Sequence, residues 1–101
     1  MHPHLSHLLN EARSRVNIVP AQKAQDILAQ GALALDVRES NEFDAGQLPG
    51  AIHIARGLLE FMTPNHPQLQ DQTQPLLVYC KNGGRSTLAA ALLMDMGFNN
   101  V

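Results

Sequence analysis

Residues 76–96 place the only cysteine of this 101-residue chain between a buried strand and a helix, and that junction constrains the fold more than any other feature. Leu76-Leu77-Val78-Tyr79-Cys80 is a nearly unbroken apolar run, the pattern of a strand covered on both faces. Lys81-Asn82-Gly83-Gly84-Arg85-Ser86 follows at once. Residues 85–96 are then strongly helical, with Leu88, Ala91, Leu92 and Met96 at helical spacing and Gly97 as a stop. A side chain at the carboxyl end of a strand that feeds a helix stands where open α/β sheets take their ligands.

The rest of the chain repeats this alternation. A second apolar run, Ala32-Leu33-Ala34-Leu35-Asp36-Val37, meets polar residues at Asp36 and Arg38. Pro49-Gly50 marks a turn before a short candidate strand at 51–54, and 57–62 fits a short helix. Residues 63–75, rich in proline, glutamine and asparagine, read as a surface connection. Upstream, Asn17-Ile18-Val19-Pro20 is a short extended piece making a strand-to-helix step into residues 21–30, whose apolar side carries Ala24, Ile27 and Leu28. Residues 5–16 fit an amphipathic helix with Leu5, Leu8, Leu9 and Ala12 on one face. This pattern predicts an α/β domain over 17–101 with a mostly parallel central sheet, preceded by a helical extension over 1–16.

Charge and composition narrow the function. Seven basic and nine acidic residues are spread along the chain, so no cationic field gathers nucleic acid or acidic lipid, and any anion site must be local. The apolar stretches fall far short of the roughly 20 residues that span a bilayer, and Met1-His2-Pro3-His4 lacks the features of a signal peptide, so the expected location is cytoplasmic. A single cysteine excludes an internal disulfide framework and a multi-cysteine zinc site. His2, His4 and His7 have no cysteine or carboxylate cluster beside them, and His53 and His66 lack ligand spacing; no metal or other cofactor is expected. The apolar face of the N-terminal helix could serve a homodimer contact as well as its own domain.

Cys80 is therefore either a structural thiol or a reactive one, and its neighbours favour the second. Gly83 and Gly84 let the chain curl with positive φ, so that successive N–H groups point at one centre at a helix N-terminus. Those dipoles and Arg85, with Lys81 as a further contributor, favour the thiolate, and the same donors would hold an anionic persulfide.

The loop Cys80-Lys81-Asn82-Gly83-Gly84-Arg85-Ser86 matches the pattern C-x-x-G-x-R-[ST]. Upstream stand Leu35-Asp36-Val37-Arg38-Glu39, then Glu42-Phe43, then Gly46-Gln47-Leu48-Pro49-Gly50-Ala51. In these three motifs and their order the chain resembles the rhodanese-like sulfurtransferases, from about residue 18 onward. Gln47 stands where that family usually has histidine, in a motif that shapes a turn. Family members normally continue beyond the position of Val101 with a strand and a closing helix, so a C-terminally incomplete domain with an uncovered strand edge is expected.

The resemblance implies a fold, a reaction and a site. The fold is a rhodanese-like α/β domain, and the reaction is double displacement through a Cys80 persulfide, with thiosulfate or another persulfide as donor and a thiol or cyanide as acceptor. Lys81, Asn82, Gly83, Gly84 and Arg85 are the expected substrate-binding residues, the Arg85 side chain orienting the loop or the donor, with Ser86 capping the helix. Asp36, Arg38 and Glu42 are expected to form a structural ion-pair group, and Arg56 could face the pocket. Related cysteine phosphatases carry one residue more in this loop, so the six residues from Cys80 to Arg85 suit a sulfur atom better than a phosphate. A non-catalytic binding or regulatory module that presents a surface to a partner protein, and a phosphatase or arsenate reductase, are the competing readings.

Overall fold

The computed structural model describes residues 3–80 and 83–101. Its described elements run α1 (Pro3–Arg13), α2 (Ala21–Ala29), β1 (Leu33–Asp36), α3 (Ser40–Ala45), β2 (Ile52–His53), α4 (Leu59–Met62), β3 (Leu76–Tyr79) and α5 (Gly84–Asp95). The strands form one parallel sheet in the order β2-β1-β3, in which Leu35 lies opposite both Ile52 and Val78. Parallel neighbours require crossovers, and the helices between them supply these, as the alternation of patterns in the sequence implies.

The core forms where the sheet meets α4 and α5. Leu35, Val37, Ile54, Leu59, Leu93 and Phe98 are at most 5% exposed and pack with Ile52, Leu69, Leu76 and Ala89. Both faces of β1 are covered, which is why its sequence is apolar without alternation. The sheet carries one polar side chain into this interior, Asp36, at the carboxyl end of β1.

Three local readings differ from this arrangement. Residues 17–20 are extended but belong to no strand, Ile18 being 68% exposed. Residues 63–75 are more than a surface connection: two 3-10 turns, Thr63–Asn65 and Pro67–Leu69, each begin or break at proline and bury Thr63 and Leu69. Helix α3 was hidden in a motif without apolar periodicity; it starts through a capping box, in which the Glu39 side chain accepts from the backbone N–H of Glu42 and the Glu42 side chain from that of Glu39.

Helix α1 packs on α5. Leu9 and Ala12 are buried there, whereas Leu5 and Leu8 are exposed, so only half of the expected apolar face is used within the chain. At the other side of the sheet, β3 is an edge. The Leu76 N–H donates to the Asn100 carbonyl at 2.8 Å on that outer side, so residues 99–101 begin to run along it. No helix of the described residues is long and apolar enough to cross a membrane.

Candidate active site

The carboxyl ends of β1 and β3 face the amino end of α5, and the candidate site is built there. Cys80 follows β3 directly and is half-buried. Gly83 takes φ +86°, a left-handed conformation open to glycine, and so turns the chain into α5. Its N–H donates to the Cys80 Sγ at 3.1 Å, and the Ser86 N–H does so at 3.4 Å. Two backbone donors from the start of a 12-residue helix thus converge on one sulfur.

Several expected roles change in this geometry. Gly84 has no positive φ; it is the first residue of α5, and Gly83 alone makes the turn. Ser86 does not cap the helix from outside. It lies in the first turn, where its hydroxyl donates to the Gly83 carbonyl at 3.1 Å and sits 3.5 Å from the Cys80 Sγ. Thr87, unremarked in the sequence, joins it with a 2.6 Å hydroxyl bond to the same carbonyl. Lys81 and Asn82 lie outside the described residues, as do Met1 and His2.

The Arg85 side chain turns to Glu42 on α3. Its Nη1 and Nη2 donate to the Glu42 Oε1 and Oε2 at 2.6 and 3.0 Å, a bidentate fork between α5 and α3. Held this way, the Glu42 carboxyl is lowered to about 2, chiefly by the Arg85 hydrogen bonds and then by the Glu39 N–H. The Arg85 guanidinium is pushed up in turn. Glu42 thus accepts its hydrogen bonds from Arg85 and Glu39 and reaches the expected Asp36–Arg38 group only as a nearby charge on Arg38. Nothing local in the sequence announces this pairing, because its partners lie 43 residues apart.

Asp36 and Arg38 do pair. The Arg38 Nε and Nη2 donate to the Asp36 carboxylate at 2.7–3.0 Å, and the Arg38 N–H adds a 2.9 Å bond. Burial works to raise the Asp36 pKa, but the hydrogen bonds from Arg38, with one from Tyr79, outweigh it and leave the group below its ordinary value. Arg38 also donates to the Gly46 carbonyl at 2.6 Å and lies 5.7 Å over the Tyr79 ring. The Tyr79 hydroxyl accepts from the Leu48 N–H at 3.1 Å. The group at the end of β1 thereby holds the turn at residues 46–48, including Gln47, beside the Cys80 loop.

A cavity of about 1130 Å³ opens at this point, with Arg38, Leu48, Tyr79, Cys80, Gly83 and Ser86 at one end. It continues along the outer edge of β3 between Ile27 and Leu28 of α2 and Ala90 of α5. Arg56 is not among its lining residues; it pairs loosely with Glu60 at 3.8 Å. His53 instead supports β1, donating from Nε2 to the Arg38 carbonyl at 2.7 Å and stacking on Phe43. Among the described residues no three histidine, cysteine, aspartate or glutamate side chains are grouped to hold a metal ion.

A parallel sheet with a cysteine in a glycine-turned loop at a helix N-terminus is the architecture of a rhodanese-like domain, and the model of that family matches residues 20–101. The chain belongs to the rhodanese-like domain family. It is 32% identical over 84 residues to the thiosulfate sulfurtransferase GlpE of Pseudomonas savastanoi pv. phaseolicola, covering 82% of this chain and 74% of that one. Among solved structures, a Rhodopseudomonas palustris protein of unknown function, described as a possible tyrosine phosphatase, superposes with a TM-score of 0.85 at 29% identity, over 98% of this chain and 81% of that one. The human single-domain sulfurtransferase TSTD1 gives a TM-score of 0.73 at 27% identity, over 84% and 85%.

Proposed function

We propose that this protein is a sulfurtransferase that carries a sulfane sulfur as a persulfide on Cys80. The observation that carries the reading is the convergence of the Gly83 and Ser86 N–H groups on the Cys80 Sγ at the amino end of α5. Donors aimed at one sulfur favour its anionic form, and the same donors serve a terminal persulfide sulfur once it forms. The relatives named thiosulfate sulfurtransferase support the reaction class.

In the first half-reaction the Cys80 thiolate attacks the outer sulfur of thiosulfate. A new S–S bond forms to Cys80, the donor's own S–S bond breaks, and sulfite leaves with the electron pair. In the second, a thiolate or cyanide attacks the outer persulfide sulfur, takes it as a persulfide or as thiocyanate, and returns the Cys80 thiolate. No proton or external electron is needed for the balance. Gly83, Gly84 and Arg85, with Lys81 and Asn82 in the same loop, are the substrate-binding residues of this reading, and Ser86, Asp36 and Arg38 support them. An anionic donor and a thiol acceptor, free or on a partner protein, are its partners, and the cytoplasm is its place.

Intact-protein mass spectrometry after incubation with thiosulfate tests it. The expected result is a species one sulfur atom heavier that cyanide discharges as thiocyanate and that Cys80→Ser does not form. A folded wild-type protein that gains no sulfur from thiosulfate or from glutathione persulfide overturns it. The description of the R. palustris protein makes aryl-phosphate hydrolysis the control, and the six-residue loop argues for no turnover there.

A further inference from the structure

We propose that Glu42 is a positioning residue for Cys80, acting through Arg85 to hold the loop's N–H groups against the sulfur. The inference rests on Cys80 being the reactive sulfur of the reading above, and it adds a residue from a different helix to that site. Glu42 stands at the third position of α3, immediately after β1, and Arg85 at the second position of α5. Both carboxylate oxygens are engaged: Oε1 takes the Arg85 Nη1 at 2.6 Å and the Glu39 N–H at 3.0 Å, and Oε2 takes the Arg85 Nη2 at 3.0 Å. The capping box thus fixes the carboxylate before it meets the guanidinium, and a planar fork meets a planar acceptor.

Arg85 lies between the two donors that matter. It is two residues after Gly83 and one before Ser86, whose N–H groups reach the Cys80 Sγ at 3.1 and 3.4 Å. Anchoring its side chain to α3 therefore fixes the backbone on both sides of it. Two of the five guanidinium N–H donors go to Glu42, which fixes the plane of the Arg85 side chain and, through it, the loop.

A charge effect and a positioning effect of Glu42 have opposite signs. Among the described residues, the ionisable groups at this end of the sheet are Arg85 on α5, which feels the charge of Cys80, Glu42 and Glu39 at α3, Asp36 and Arg38 at the end of β1, and Tyr79 on β3. Acting as a charge alone, Glu42 would disfavour the thiolate, and Glu42→Gln would leave the Arg85 cation uncompensated and favour it. Acting by position, Glu42 favours the thiolate: in Glu42→Gln an amide NH2 faces the guanidinium, donor against donor, the fork opens, and the loop N–H groups lose their hold.

The test is the pH profile of Cys80 alkylation by iodoacetamide in the full chain, which needs no sulfur donor, run beside thiosulfate-to-cyanide turnover. In Glu42→Gln the alkylation midpoint is expected to rise by about half a pH unit, roughly a threefold loss of thiolate below it, with kcat reduced. Arg85→Lys, which keeps the charge but not the fork, should shift the midpoint the same way and serves as the test if Glu42→Gln does not fold. A midpoint that falls or stays in place, with only the melting temperature lowered, overturns the proposal. If the wild type transfers no sulfur while the midpoint still rises in both variants, the positioning role stands and the sulfurtransferase reading is what fails.

Discussion

The Leu48 N–H donates to the Tyr79 hydroxyl at 3.1 Å, tying the turn before β2 to the residue that precedes Cys80. Tyr79 lies between two tasks, because its ring is also covered by Arg38 and its hydroxyl meets Asp36. Tyr79→Phe keeps the ring and removes the hydroxyl. One hydrogen bond of this kind is worth about 0.5–1.5 kcal/mol, so the melting temperature should fall by a few degrees, as thermal unfolding followed by circular dichroism would show. Because residues 46–48 wall the cavity beside Cys80, the variant should raise KM for the sulfur donor more than it lowers kcat.

The two loop glycines should respond oppositely to alanine. Gly83 has φ +86° with open space where a Cβ would stand, so Gly83→Ala suffers backbone strain of about 1–2 kcal/mol and no clash. Asparagine, though larger, tolerates that conformation better, and Gly83→Asn should be the milder change. Gly84 is helical with the same open space, so Gly84→Ala should be neutral or stabilising, by about 0.4–1 kcal/mol. Denaturant melts of the three variants check the order; a destabilising Gly84→Ala with a neutral Gly83→Ala would contradict the assignment of the turn to Gly83.

Burial, and not charge, should govern the docking of α1. Leu9 is 3% exposed against α5, and Leu9→Ala is expected to cost about 2–5 kcal/mol. The Arg15–Asp95 pair joins the end of α1 to α5 more visibly, but its side chains are 32% and 60% exposed, where solvent and salt screen the attraction. Asp95→Asn should leave the denaturation midpoint nearly unchanged, and Leu9→Ala should lower it clearly.

What could be read from the sequence was what depends on neighbours in sequence. The runs before Asp36 and Cys80 identified β1 and β3, and the glycine loop located the sulfur, because strand burial and a helix entry are written locally. Helix α3 escaped because its six residues are held by a capping box and carry no apolar stripe. The buried Thr63 and Leu69 escaped because prolines and glutamines around them look like a solvated loop. Glu42–Arg85 and Leu48–Tyr79 join residues 43 and 31 apart, and only the parallel sheet brings them together. The position of Cys80 at the junction of β3 and α5 was thus legible, and the long-range pairs around it were not.

Acid should expose the Glu42–Arg85 clamp in the stability of the whole domain. The folded carboxyl is lowered to about 2 from an ordinary 4.5, so the unfolded chain binds the proton first as pH falls. A depressed carboxyl contributes stability that is complete above the unfolded value and is lost as pH drops through the folded one, here between about 4.5 and about 2. Glu42→Gln has no such proton to bind. The wild type should therefore exceed it in melting temperature at pH 6 by a margin that narrows below pH 4.5 and vanishes towards pH 2. Asp36 and Asp71 are also lowered, so both proteins should still lose stability in acid, and it is the difference between them that reports on Glu42. The Arg85 and Glu42 side chains are 35% and 26% exposed, so raising the salt concentration should shrink the margin at pH 6 as well. A margin independent of pH would mean that Glu42 contributes by packing alone, and the clamp would then not be ionic in solution.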